Sequence, residues 1–316
     1  MAGVSEMPFR IIAGELGAGL ATTELISAKG ICQNSERARK YLRFNKEKEI
    51  PYSVQLFGGE EKVMAEAAVY VAKLGANIID INFGCPVKKV TKTGAGSAFL
   101  KTPIRIFNLI KTIKSALGNE IPITAKIRSG WDADQINFLE VGKILEDAGC
   151  EAIAIHGRTR AQGYVGLSDW GIIKKLKDCV KIPVIGNGDI ISADQANVRL
   201  LETNCDAVMI GRGALGNPWI FQELKYKKKP NQKEIYDLII RHLDEHLEYN
   251  SIKSFRNHLI WYSKGYTGNA QFRSLVAELT EINHIKEIIG NFFLNTVKEN
   301  NSSIVTHCID YRQAFG

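Results

Sequence analysis

The chain is predicted to fold as a (β/α)8 barrel followed by a small helical domain. Short apolar segments rich in β-branched residues alternate with amphipathic segments from the start of the chain to Phe221. Strict alternation of strand and helix predicts a parallel sheet covered by helices. Seven candidate strands come close to the eight of a TIM barrel. Beyond Phe221 the apolar residues recur only at helical spacing, which predicts a separate helical unit.

The candidate strands are short apolar runs, in chain order Leu20 to Glu24, Tyr52 to Leu56, Ile78 to Asn82, Ile123 to Ile127, Ala152 to His156, Val184 to Gly186 and Ala207 to Ile210. The clearest amphipathic segments between them are Glu61 to Leu74, Ile104 to Leu117, Ile136 to Ala148 and Ala193 to Leu201.

The end of the barrel is marked by a charged segment, Lys225 to Pro230, and helical periodicity resumes at Glu234 and continues to about Lys298. We therefore predict a barrel over residues 1–224, a basic linker over 225–233, a helical domain over 234–300 and a polar tail over 301–316.

Composition predicts an intracellular protein. The 316 residues contain six cysteines without a CxxC pair, a pattern typical of a reduced compartment. No signal peptide is visible, and the apolar runs are far shorter than the roughly 20 residues of a membrane helix. We expect a cytoplasmic protein without a membrane partner. The net charge of +7 is compatible with a polyanionic partner, although charge alone is weak evidence.

Cys85 is the first candidate for chemistry. It follows the predicted strand Ile78 to Asn82, next to Gly84 and Pro86, and precedes a loop rich in lysine and glycine. Functional residues concentrate on loops held by a rigid scaffold. The alternative is an ordinary buried thiol, the commonest fate of a free cysteine.

Two glycine-containing segments are candidates for binding a phosphate. Gly186-Asn187-Gly188-Asp189 and Gly211-Arg212-Gly213 follow the last two predicted strands. In TIM barrels the loops at this position frequently bind phosphate through backbone N–H groups. Each segment alone is also compatible with a tight turn.

Eight segments together resemble the tRNA-dihydrouridine synthases, most closely the bacterial members and their B branch. They are DINFGCPVKKVTKTGAGSAFL, MAGVSEMPFR, SVQLFG, AKIRSGW, IHGRTR, GNGDI, GRGALGNPWIF and HLIWYSKG, and they span nearly the whole chain in the order of that family. The resemblance implies a barrel flavoenzyme that uses FMN, with NADPH or NADH as reductant, to reduce a uridine in tRNA. It also implies that Cys85 donates a proton to C5 of the uracil.

The same resemblance implies the remaining site residues. The implied FMN ligands are Met1, Ala2, Gln55, Lys126, His156, Asn187, Gly188, Asp189, Gly211 and Arg212. The implied substrate contacts are Asn82 and Arg158 in the pocket, with Lys88, Lys89, Lys92, Lys264 and Arg273 on the tRNA. A lysine in an apolar strand is costly to bury unless it is paired, so Lys126 could instead form a structural ion pair. His156 could instead be a core histidine.

The first strand of the barrel is expected to be missing or truncated. In the resembled family the MAGV motif follows an apolar strand, whereas here the sequence begins at Met1 of that motif. An open barrel would leave two unpaired strand edges.

His242-Leu243-Asp244-Glu245-His246 matches the H-x-x-E-H pattern of some zinc proteases. The sequence offers no evident third ligand, and short motifs recur by chance. Zinc chemistry and a metal site are therefore not expected.

Two other functions are compatible with parts of the sequence. An FMN barrel acting on a small pyrimidine would explain the glycine segments but not the helical domain or the basic loop. A non-catalytic RNA-binding remnant would be compatible with a missing first strand. In each case we expect a monomer.

Overall fold

The computed structural model describes residues 3–49, 51–118 and 120–296. Its centre is a parallel sheet of seven strands that pair strictly in chain order. The strands are β1 Ile26–Ser27, β2 Ser53–Phe57, β3 Ile78–Asn82, β4 Ile123–Arg128, β5 Ala152–His156, β6 Val184–Asn187 and β7 Ala207–Met209. This arrangement confirms the predicted barrel architecture. Within the described residues the sheet ends at β1 and β7 and contains no eighth strand.

Helices connect the strands and cover the outside of the sheet. They are α1 Met7–Glu15, α2 Ala28–Cys32, α3 Glu36–Tyr41, α4 Glu61–Leu74, α5 Lys88–Thr91, α6 Ile104–Leu117, α7 Phe138–Ala148, α8 Trp170–Cys179, α9 Ala193–Thr203 and α10 Trp219–Tyr226, with 3₁₀ turns at Gly96–Lys101 and Arg212–Ala214. Helices α4 and α7 end at Gly75 and Gly149, whose φ angles are 107° and 93°. This left-handed conformation favours glycine and closes each helix before the next strand.

The prediction of a strand from Leu20 to Glu24 is wrong. In that segment only Thr22 bridges to Ser53, and the regular ladder begins at Ile26. The hydroxyl of Thr23 accepts a hydrogen bond of 3.0 Å from the backbone N–H of Gln55. Because a side chain takes this donor, the backbone ladder cannot run continuously through the segment. Helix α7 also begins later than predicted, since Ile136 pairs with Gly130 in an isolated bridge.

Up to residue 296, where the described chain ends, four helices follow the barrel: α11 Gln232–Leu247, α12 Ile252–Tyr262, α13 Asn269–Glu278 and α14 Ile282–Asn295. Their apolar faces enclose a second core that includes Ile239, Phe255 and Ile289. Asn231 and Glu234 form a capping box that begins α11. The segment that joins α10 to α11 is 227–231, inside the predicted linker. The predicted polar tail lies outside the described residues.

Aromatic side chains pack the helical unit on the barrel. Trp219, at the start of α10, belongs to the second core and lies 6.0 Å from the Tyr262 ring, measured between centroids. Phe9 of α1 contacts the rings of His242 and His258. No helix of the described chain combines the length and apolar character needed to span a bilayer.

Candidate active site

The register of the sheet places the predicted site residues on one rim. Asn82 pairs with Lys126 across β3 and β4, and His156 pairs with both Arg128 and Asn187 across β4, β5 and β6. These residues stand at or near the carboxyl ends of their strands. In barrels of parallel strands this rim carries the active site.

Cys85 is half-buried in the loop after β3, and its backbone is fixed on both sides. Its N–H donates to Oδ1 of Asn82 at 2.8 Å, and its carbonyl accepts from the hydroxyl of Ser97 at 2.8 Å. Gly96 lies after the same loop and has a φ of 59°. A Cβ at Gly96 would stand 3.2 Å from Cβ of Cys85. The position of the thiol is therefore set by its loop. Burial is the main cause that raises the pKa of Cys85, so the thiol is protonated at neutral pH.

A chain of side-chain hydrogen bonds leads from the sheet to this loop. Asp80 accepts from Thr124 and from Nε2 of Gln55, both at 2.6 Å, and Oε1 of Gln55 accepts from Nδ2 of Asn82 at 3.0 Å. Burial is the main cause that raises the pKa of Asp80. The chain orients the Asn82 amide, of which one N–H is used by Gln55 and a second can serve another acceptor.

Lys126 places a basic amine in this polar layer. Its one hydrogen bond in the described structure is long, 3.5 Å to the carbonyl of Ile127, and no described carboxylate pairs with it. Burial, followed by repulsion from Arg128, lowers the pKa of Lys126 to about 7, against the attraction of Asp80. The structural ion pair considered from the sequence is therefore not formed within the described chain.

Arg128 was not selected by sequence reasoning, although it lies in the AKIRSGW segment. Its Nε donates to the carbonyl of Gly84 at 2.8 Å, and its Nη1 donates to the carbonyls of Thr159 and Gly163. It thereby joins the Cys85 loop to the loop after β5. Burial lowers the pKa of this guanidinium from its usual value.

Arg158 and Arg212 both pair with Asp189. Arg158 is buried and contacts both carboxylate oxygens of Asp189, at 2.8 and 2.7 Å, while Arg212 contacts one at 2.6 Å. Burial disfavours the charged form of Asp189, but the hydrogen bonds from Arg158 and the backbone of Ser168 outweigh it and lower its pKa. Asp189 thus fixes both arginines, and Arg158 lies beneath the loops rather than on the open rim.

His156 lies among these cations and is buried. Its Nε2 is 3.1 Å from Nη1 of Arg158. Burial first, and then repulsion from the surrounding cations, holds the pKa of His156 far below its usual range. The imidazole is therefore neutral. The cations are Lys126, Arg128, Arg158 and Arg212.

The charges of this rim fit an anionic ligand. Four basic side chains surround His156, whereas the carboxylates among their described neighbours are Asp80 and Asp189. A site with this excess of basic side chains at strand ends suits a phosphate or a ring that acquires negative charge.

The glycines of the two segments have packing roles. A Cβ on Gly188 would stand 2.0 Å from Oγ of Ser168, and one on Gly213 would stand 2.2 Å from the carbonyl of Ile190. Gly188 also has a φ of 139°. Both segments are therefore tightly packed against neighbouring loops. Asn187 is anchored through its Nδ2, which donates to the carbonyl of Met209 at 2.8 Å.

The remaining predicted contacts lie on the surface or outside the described chain. Met1 and Ala2 fall outside the described residues. The side chains predicted to contact tRNA are exposed. They are Lys88, Lys89 and Lys92 on and after α5, with Lys264 and Arg273 in the helical unit. Gly216, beyond the last barrel strand, is so close to α12 that a Cβ would stand 2.1 Å from the carbonyl of Trp261. This contact brings the segment that carries Lys264 against the barrel, beyond the loop of Arg212.

Comparison with known proteins gives the same family over almost the whole chain. The family model described as "Dihydrouridine synthase (Dus)" matches residues 1–298. The tRNA-dihydrouridine synthase B of Pseudomonas aeruginosa is 37% identical over 314 residues, covering 96% of this chain and 93% of the relative. The protein of the same name from Pseudomonas syringae pv. tomato is 40% identical over 292 residues, covering 89% and 86%.

Solved structures with a similar fold are distant in sequence. Histamine dehydrogenase from Rhizobium sp. 4-9 aligns with a TM-score of 0.54 at 11% identity, over 82% of this chain and 46% of that one. A 2-naphthoyl-CoA reductase aligns with a TM-score of 0.57 at 12% identity, over 71% and 47%. The chain spans about half the length of these proteins, and the likeness shows the barrel fold alone.

Proposed function

Because the chain belongs to the dihydrouridine synthase family, we propose that it reduces the C5=C6 bond of specific uridines in tRNA to dihydrouridine. The observation that carries the proposal is the position of Cys85, a protonated thiol held by its backbone on the same rim as the cations around His156. When bound at this rim and reduced by NADPH or NADH, FMN would supply the hydride that C6 receives.

The residues proposed to hold FMN are those of the cationic rim. Lys126 has no carboxylate partner in the described structure, so it is suited to charge that develops on the flavin ring. Arg212 and the backbone N–H groups of Gly188 and Gly211 are proposed to bind the phosphate. Gln55, His156 and Asn187 complete the set with Met1 and Ala2, while Asp189 is proposed to act through the two arginines that it holds.

Cys85 is the proposed general acid. Hydride addition at C6 leaves negative charge on C5 and O4 of the uracil, and a proton delivered to C5 completes the reduction. The raised pKa of the Cys85 thiol keeps the proton in place at neutral pH. Since the backbone of Cys85 is fixed by Asn82 and Ser97, the thiol requires little reorganisation to act.

Asn82 is the proposed contact to the uracil edge, through the N–H that Gln55 does not use. Arg158 was expected to contact the substrate. Its burial and its bonds to Asp189 favour a supporting role instead. A stacked uridine cannot reach such a rim, so the base must be flipped out of the RNA at a cost of a few kcal/mol.

Exposed basic side chains are proposed to hold the rest of the tRNA through its phosphates. Lys88, Lys89 and Lys92 lie on the loop that carries Cys85, and Lys264 and Arg273 lie in the helical unit. These features favour tRNA over a free pyrimidine, the second candidate substrate. A cytoplasmic location and a monomeric state stay predictions.

The test is to purify the protein, record its flavin absorbance, and incubate it with NADPH and bulk tRNA that lacks dihydrouridine. We expect a yellow protein and tRNA nucleosides in which uridine gains two hydrogens by mass spectrometry. Reduction of free uracil or uridine without any change in tRNA would favour the alternative function, an enzyme that acts on a small pyrimidine. A protein that binds tRNA but no flavin would be a non-catalytic remnant.

A further inference from the structure

A second cluster of side chains that can bind a ligand lies where the barrel meets the helical unit. Glu6 immediately precedes α1 of the barrel, His242 belongs to α11, and His258 belongs to α12. Both histidines are buried, and Glu6 is partly exposed, with 18% of its side chain accessible. The cluster therefore joins three helices and retains a route to solvent.

The distances within this cluster match a metal site. Oε1 of Glu6 is 3.4 Å from Nε2 of His258 and 3.7 Å from Nε2 of His242. One ligand atom from each residue lies within 4.8 Å of the other two. Ligands bound to tetrahedral zinc at about 2.0 to 2.1 Å stand about 3.3 to 3.4 Å from one another. Small side-chain adjustments would bring the three atoms to that geometry.

A buried ring nitrogen of His242 supplies an independent observation. Its Nε2 is buried and has no hydrogen-bond partner among the described residues, although it faces Glu6. Its Nδ1 lies 3.0 Å from the hydroxyl of Tyr262. A histidine that binds metal through one ring nitrogen commonly has a hydrogen bond to the other, which fixes the ring. An unsatisfied buried nitrogen is otherwise costly.

Two further side chains orient the carboxylate of Glu6. Nδ1 of His246 and Nδ2 of Asn250 contact the two carboxylate oxygens, at 2.5 and 2.9 Å, and orient them.

We propose that Glu6, His242 and His258 bind a divalent transition metal, with Zn²⁺ as the best match, and that the ion fastens the barrel to the helical unit. Imidazole nitrogen and carboxylate oxygen are suited to zinc. The H-x-x-E-H spacing alone suggests a different pair, His242 with His246. In the structure His246 supports Glu6, and the further ligands come from the start of the chain and from α12. The ion has a structural role, because its ligands connect three helices around a packed core.

The test uses the full chain, stripped of metal with a chelator and then titrated with ZnCl₂ or CoCl₂. We expect one equivalent of zinc per chain by equilibrium dialysis, a higher melting temperature, and the visible absorbance of a tetrahedral cobalt site. Glu6→Gln and His258→Gln are expected to abolish stoichiometric uptake and the rise in melting temperature. His284→Gln is the matched control, because His284 is exposed on α14 and should leave both unchanged.

Absence of stoichiometric uptake by the wild-type protein would overturn the proposal. So would uptake of unchanged affinity by Glu6→Gln, since a neutral carboxamide binds Zn²⁺ much more weakly than a carboxylate. If His258→Gln fails to fold, Glu6→Gln decides, because Glu6 is partly exposed and the substitution preserves its shape. Loss of uptake in the His284→Gln control would assign the metal to a surface site and reject the cluster.

Discussion

Lys126 should destabilise the flavin-free protein at neutral pH, and the size of the effect follows from its environment. The pKa of this amine is lowered from 10.5 to about 7 in the folded protein. The unfolded chain therefore binds the proton more tightly, and folding loses stability as the pH falls from about 10.5 to about 7, with no further loss below that. A difference of about 3.5 pKa units corresponds to at most about 5 kcal/mol, and the partial exposure of Lys126 reduces this value.

Lys126→Met removes the titrating group, so the flavin-free variant should be more stable than the wild type at pH 7, and this advantage should shrink steadily toward pH 10.5. The assay is urea denaturation of flavin-stripped proteins across this range, with Lys62→Met, an exposed lysine on α4, as control. The same variant should bind FMN more weakly. A stability difference that does not change with pH would refute the reasoning about Lys126.

The remaining predictions concern the glycine packing and the basic loop. Gly188→Ala should lower the free energy of unfolding by on the order of 1 to 3 kcal/mol, because the new Cβ collides with Ser168 at an unfavourable φ. Thermal denaturation measures this loss, and an unchanged melting temperature would contradict the packing argument. A triple variant with Lys88→Ala, Lys89→Ala and Lys92→Ala should keep the flavin and have a higher KM for tRNA. Its tRNA affinity should also depend less steeply on salt, by the equivalent of up to about three phosphate contacts. Lys174→Ala with Lys175→Ala, on the exposed side of α8, is the control, and an equal effect there would remove any special role of the loop.

Sequence patterns predicted the strands best where consecutive residues are buried. The predicted bounds of β3 and β5 agree with the structure because Ile78 to Asn82 and Ala152 to His156 are buried on both faces. The first strand was misplaced because the hydroxyl of Thr23 replaces a backbone acceptor, which no periodicity reveals.

The site was predictable in its positions and less so in its contacts. The placement of Cys85 and Lys126 at strand ends follows from the alternation of elements. The pairing of Arg158 with Asp189 depends on two loops 31 residues apart, and the bracing role of Arg128 depends on carbonyls of two other loops. Glu6 and His246 meet across 240 positions, so a local motif could not identify the cluster around Glu6.

The most direct test of the central claim is a single turnover with Cys85→Ala. The variant, loaded with FMN, reduced and mixed with substrate tRNA in the absence of oxygen, should retain flavin absorbance and tRNA binding. Its rate of dihydrouridine formation, measured by mass spectrometry of nucleosides, should fall by roughly 100-fold or more, the usual value of a positioned acid. Cys179→Ala, which removes another partly exposed thiol, should match the wild type. A Cys85→Ala protein that forms dihydrouridine at the wild-type rate would contradict the account.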